Sequence, residues 1–150
     1  MTDANSEAAA APPIYLQPRA LGLVFVGGTA GAGSREALTL AFSTDGTIDW
    51  VIFAINLTGA FLLGFLLENL AGRGPDRGRR RSLRLVIGTG FMGGFTTYST
   101  LAAGTASLIR SGDVAAGIGY AVGTVLLGAV ATWAGIALAA RARRRRETQQ

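Results

Sequence analysis

Cysteine, histidine and lysine are all absent from this 150-residue chain, proline occurs four times, and charged residues make up only 15%. Without cysteine and histidine, disulfide frameworks, thiol nucleophiles, imidazole acid–base chemistry and the usual zinc sites are excluded. Most of the reagents that enzymes favour are therefore missing. What is present is apolar surface and glycine: 49% hydrophobic residues and 22 glycines, with a mean hydropathy of +0.38. That balance is too hydrophobic and too rich in glycine for an ordinary soluble domain.

The formal net charge is +5, and all 14 basic residues are arginine. Most lie in two short runs, GRGPDRGRRRSLR (72–84) and RARRRR (141–146), each beside an apolar segment. No aromatic residue is interleaved with them, as a nucleic-acid platform requires, so they read as juxtamembrane clusters and not as a nucleic-acid surface.

Four membrane spans are expected in an all-α protein. They run from Leu21 to Phe42, Trp50 to Leu70, Leu83 to Ile109 and Val114 to Ala140. Each exceeds the length needed to cross roughly 30 Å at about 1.5 Å per residue. Residues 1–19 form an Ala/Pro-rich tail expected to be disordered and cytoplasmic, 20–140 the four-helix unit, and 141–150 a basic cytoplasmic tail. The tail has no basic stretch ahead of an apolar core, so it is not a secretory signal. STDGT (43–47) and RSGD (110–113) read as tight turns.

With four spans, both tails and the middle connector share one side. Arg19, Arg73, Arg77, Arg79, Arg80, Arg81, Arg84, Arg141, Arg143, Arg144, Arg145 and Arg146 fall there, twelve against only Arg35 and Arg110 on the other side. The positive-inside rule then predicts a multi-pass plasma-membrane protein with both termini in the cytoplasm.

Polar residues within spans are functional candidates by default. Asn56 has two readings: a helix–helix hydrogen bond, or an amide whose N–H groups face an anion. GGTAGAGSREA (27–37) offers small residues for close helix packing, which leaves Arg35 unexplained. Its guanidinium either snorkels to the interface, draws anions toward a vestibule or pairs with Glu36. In the third span, Gly88, Gly90, Gly93 and Gly94 precede Thr96, Thr97, Ser99 and Thr100. An uninterrupted helix is not expected there, and irregular backbone at membrane depth belongs inside protein or beside water. A break would free backbone groups to bind an ion, as in discontinuous transporter helices and channel filters.

Three motifs carry a family resemblance. GGTAGAGSRE resembles the first-helix signature GGxxGAxxRY of the CrcB (Fluc) fluoride channels, GTIDWVIFAINLTGAFLLG (46–64) resembles their GTLxxNxxGxFxxG, and GFMGGFTTYST resembles GFxGGxTTFST. The order is kept and the layout covers residues 20–140. The resemblance implies a fluoride-specific channel, not an enzyme, built as a dimer of oppositely oriented subunits. It also implies a central structural Na+ held by backbone carbonyls, here those of Gly93 and Thr96. The fluoride pathway it implies falls on Asn56, Tyr98, Ser99, Thr100, Leu101, Tyr120 and Thr124, with Arg35 at the vestibule. Fluoride is small and strongly hydrated, so several modest donors suit conduction better than one cation that would trap it.

The departures from the family pattern matter equally. Tyr98 and Leu101 stand where two phenylalanines are expected, and Leu101 has no ring edge to offer an anion. Glu36 replaces a tyrosine, and Gly128 leaves no hydroxyl one turn beyond Thr124. The arginine bias commits the chain to one orientation, so an antiparallel dimer needs a second CrcB-type chain of opposite bias. A heterodimer is therefore favoured over a homodimer, with membrane lipid around it and no nucleic-acid partner. A proton-coupled multidrug transporter is the competing class. It wants a deep first-span carboxylate, and Glu36 and Glu68 are poorly placed for that role. A non-conducting assembly subunit is the third reading.

Overall fold

The computed structural model describes residues 17–42, 48–72 and 75–148, and every regular element among them is helical. Helix α1 is Pro18–Ala41, α2 is Trp50–Ala71 and α6 is Val114–Glu147. Between α2 and α6 the third segment is divided. A short α3 (Arg79–Leu83) runs into a π-helical stretch at Arg84–Phe91, followed by α4 (Met92–Phe95) and α5 (Tyr98–Arg110). Most of the N-terminal tail and the STDGT turn lie outside the described residues.

Local sequence explains the helix ends. Proline opens α1, where its missing N–H costs nothing. Asp49 caps α2 by accepting from Ile52 N at 2.9 Å, and Asp113 caps α6 by accepting from Ala116 N at 3.2 Å. Gly112 takes the left-handed turn before α6, with φ of 91°. That last helix continues through the arginines of the C-terminal tail to Glu147 without ending near Ala140.

Helices α2, of 22 residues, and α6, of 34, are each long and apolar enough to cross a bilayer. Large apolar side chains face outward, among them Phe25 on α1 and Val125, Val130 and Trp133 on α6. A soluble domain would bury them; a membrane protein presents them to lipid or to a partner.

Packing pairs α1 with the third segment and α2 with α6. In the first pair, a Cβ on Gly27 would collide with the Val86 carbonyl, one on Gly31 with that of Phe91, and one on Gly94 with that of Gly28. In the second, Gly64 abuts the Thr132 carbonyl and Gly135 that of Phe61. The small residues thus bring backbones together. At the arginine-rich end, Arg143 Nη1 meets Glu68 Oε1 at 2.8 Å, tying α6 to α2. Nearby, Arg84 Nε donates to Asp76 Oδ2 at 3.0 Å and holds that exposed carboxyl below its ordinary range.

Candidate functional site

The site begins with two residues that are not helical. Thr96 (φ −81°, ψ 153°) and Thr97 (φ −143°, ψ 121°) are extended between α4 and α5. Extended residues interrupt the N–H to C=O ladder, so the freed groups need other partners inside a membrane protein.

Two side chains from other helices meet that need. Asn56 on α2 accepts from Thr97 N through Oδ1 at 2.8 Å and donates from Nδ2 to Thr97 O at 3.1 Å. One carboxamide therefore satisfies both backbone groups of one residue, on the two peptides that flank Thr97 Cα. Arg35 on α1 donates from Nη1 to Gly94 O at 3.0 Å. This bond is a helix-to-backbone brace, a contact that none of the three roles read for Arg35 from the sequence named. No Arg35–Glu36 ion pair forms among the described residues, and Glu36 is exposed.

The side chain of Thr97 organises the start of α5. Its hydroxyl lies 3.1 Å from Ser99 Oγ and 3.2 Å from Thr100 Oγ1, and it accepts from Thr100 N at 3.3 Å. Hence the N–H groups that would close on the carbonyls of Gly93 and Thr96 in a continuous helix, those of Thr97 and Thr100, are engaged elsewhere. Thr97 is only 7% exposed. The sequence grouped it with Thr96, Ser99 and Thr100 without assigning it the N-cap role that threonine favours.

A groove of about 320 Å³ opens beside this interruption, lined by Asn56, Thr96, Tyr98, Leu101, Thr124 and Thr132 among others. Leu101 is 6% exposed and packs with Leu108 and Tyr120, whereas Tyr98 is 80% exposed and stands on the rim. The α6 hydroxyls turn along their own helix: Thr124 Oγ1 donates to Tyr120 O at 2.6 Å and Thr132 Oγ1 to Gly128 O at 2.9 Å. Tyr120 is buried, and its hydroxyl donates to Asp49 O at 3.5 Å. Asn56 differs from them, since the second of its amide hydrogens has no protein partner among the described residues.

Sequence comparison now adds to this geometry. The profile of a family described as "CrcB-like protein, Camphor Resistance (CrcB)" matches residues 22–136. The chain belongs to the CrcB family. Its relatives include "Fluoride-specific ion channel FluC 2" of Leifsonia xyli subsp. xyli, 52% identical over 128 residues, 85% of this chain and 88% of that one. "Fluoride-specific ion channel FluC 1" of Cutibacterium acnes is 46% identical over 123 residues, 81% and 85% of the two chains. A third, "Fluoride-specific ion channel FluC 1" of Mycobacterium bovis, is 39% identical over 129 residues, 85% and 96%.

In this CrcB chain, Asn56, Thr96, Tyr98, Leu101 and Thr124 come together on one groove. Ser99 and Thr100 do not line it; their hydroxyls belong to the Thr97 cluster. Tyr120 sits one turn of α6 away. Thr132, two turns beyond Thr124, supplies a hydroxyl past the gap at Gly128 and was not anticipated. Its signal was the spacing of four along α6, continued through Tyr120, Thr124 and Gly128.

Proposed function

We propose that this chain is a subunit of a fluoride-specific channel that lets fluoride leave the cytoplasm down its electrochemical gradient. The observation that carries the proposal is Asn56: an amide fixed by the backbone N–H and C=O of Thr97, with a second N–H unengaged among the described residues, on a groove that Asn56 itself lines. A fixed neutral donor replaces part of an anion's hydration without trapping it as a cation would. The names of the relatives support the choice of anion.

Asn56→Asp tests the assignment. A negative charge about 4 Å from a passing anion costs about 4 kcal/mol at an effective dielectric of 20. Fluoride efflux from liposomes, read by electrode, is expected to fall about 100-fold or more. Unchanged flux would remove Asn56 from the pathway.

The working unit in this proposal is an antiparallel heterodimer in the plasma membrane, with this chain's termini cytoplasmic. The one-sided arginine distribution supports that orientation, and the numerals 1 and 2 in the relatives' names suit chains that occur in pairs. A central Na+ fits the third segment: the carbonyls of Gly93 and Thr96 are released from helix pairing and Gly93 is exposed, a hard-oxygen donor set. These carbonyls would hold the ion, which supplies only positive charge between two interruptions. Expressed alone, the chain is expected to leave a fluoride-exporter-deficient cell sensitive to fluoride, and co-expression with an oppositely biased CrcB chain to restore tolerance. Full rescue by this chain as a homodimer defeats the heterodimer proposal.

Leu101 favours a second reading within the same family. Buried and aliphatic where a ring is expected, it suits a subunit whose own groove conducts poorly and which completes the partner's pathway. The multidrug-transporter alternative loses its carboxylates, since Glu36 is exposed and Glu68 is paired with Arg143.

A further inference from the structure

The arginine-rich end holds a pocket distinct from the groove. About 190 Å³ in volume, it lies where the start of α1 meets α3, lined by Gln17, Arg19, Leu23, Arg81, Ser82 and Leu85 among others. Arg81 Nη2 donates to Gln17 Oε1 at 2.9 Å, which fixes one guanidinium across the mouth through a neutral acceptor. Among the described residues the ion pairs at this end join Arg84 to Asp76 and Arg143 to Glu68; neither Arg19 nor Arg81 has a carboxylate partner. Among the described residues, two cations thus line one pocket with no carboxylate in contact with either; Asp76, already paired with Arg84, acts on Arg81 only through space.

Its floor is of the opposite character. Leu23 and Leu85 line it. A ligand suited to both parts has an anionic head and a hydrocarbon tail. We infer that this pocket binds the phosphate headgroup of an anionic phospholipid, with Arg19 and Arg81 on the phosphate and the first acyl methylenes against Leu23 and Leu85. Basic pockets between helices at the cytoplasmic face are suited to such headgroups. Arginine presents a fork of donors that matches phosphate oxygens. A free phosphate would satisfy the guanidinium groups but leave the apolar floor in contact with water.

The test uses the full chain, purified with its assembly partner if it needs one. It is incubated with equal amounts of phosphatidylglycerol and phosphatidylcholine, and retained lipid is read by native mass spectrometry. Phosphatidylglycerol is expected to be retained about fivefold over phosphatidylcholine. Arg19→Gln/Arg81→Gln should abolish that preference, whereas Arg144→Gln/Arg145→Gln, which removes equal charge from α6, should keep it. Equal retention of the two lipids by the native protein overturns the proposal, as does equal loss in both double variants, which signals a diffuse charge effect. Displacement of bound phosphatidylglycerol by excess inorganic phosphate also overturns it, in favour of a soluble-anion site. Should the first double variant fail to fold, Arg19→Gln carries the test alone, because Arg19 is exposed and its removal must still lower the preference.

Discussion

The two helix pairs are both closed by glycine, yet they do different things. Along α1 and the third segment the contacts are reciprocal: Gly27 and Gly31 meet carbonyls opposite, and Gly90 and Gly94 meet carbonyls of α1 in return. Backbone lies on backbone, and Arg35, which enters this seam, is consumed by Gly94. Between α2 and α6 the close approach is confined to Gly64 and Gly135. Toward Asn56 and Thr124 the pair opens into the groove, and at its far end it is fastened by Glu68 and Arg143. One seam is a brace and the other a wall of a groove, so the same residue type gives closure or access according to whether neighbouring glycines answer it.

The comparison breaks most severely at Gly31. Gly31→Val drives side-chain atoms into the Phe91 backbone, and a cost of about 3 kcal/mol or more is expected. Chemical unfolding in detergent should show it, while Gly33→Ala, which meets nothing within 4 Å inside α1, should leave the midpoint unmoved or slightly raised. Equal effects of the two would mean that the seam is looser than its geometry.

Arg35→Leu is the next largest. Loss of a charged hydrogen bond to an interior carbonyl should cost about 2 kcal/mol. Arg35→Gln, which retains a donor, should recover part of it in the same unfolding assay. If the two substitutions are indistinguishable, the bond to Gly94 carries no stability.

The smallest effect belongs to the fastening on the open pair. Arg143 and Glu68 are 41% and 23% exposed at their side chains, so their coupling in a double-mutant cycle should be about 0.5 kcal/mol. It should weaken with added salt. A coupling several times larger would place this pair in a far drier setting.

Much of this arrangement was legible in the residues. The four-part layout followed from apolar runs separated by Asp- and Gly-containing turns, and the observed helices begin or end within about four residues of those limits, except α6, which runs seven residues past Ala140 to Glu147. Residues 88–100 stood out by their glycines and hydroxyls; the structure places there the end of the π-helical stretch and the two extended threonines. The π winding of Arg84–Phe91 was not legible, because eight residues are too few for hydropathy to separate one helical period from another. Nor were the targets of Arg35 and Asn56. Their partners lie 59 and 41 residues away, so side-chain chemistry marked them as unusual without saying what they would hold. For Ser99 and Thr100 the residue type suited a pathway, and the sequence did not show that both hydroxyls also meet that of Thr97.

The pairing of Asn56 with the backbone of Thr97 also has a consequence for biogenesis. Until α2 stands beside it, the third segment enters the membrane with the N–H and C=O of Thr97 lacking the carboxamide that satisfies them. Hydrocarbon offers no substitute, so the segment settles at full depth only against a helix already in place. The order of synthesis, second helix before third, is therefore also the order in which the fold becomes soluble in lipid.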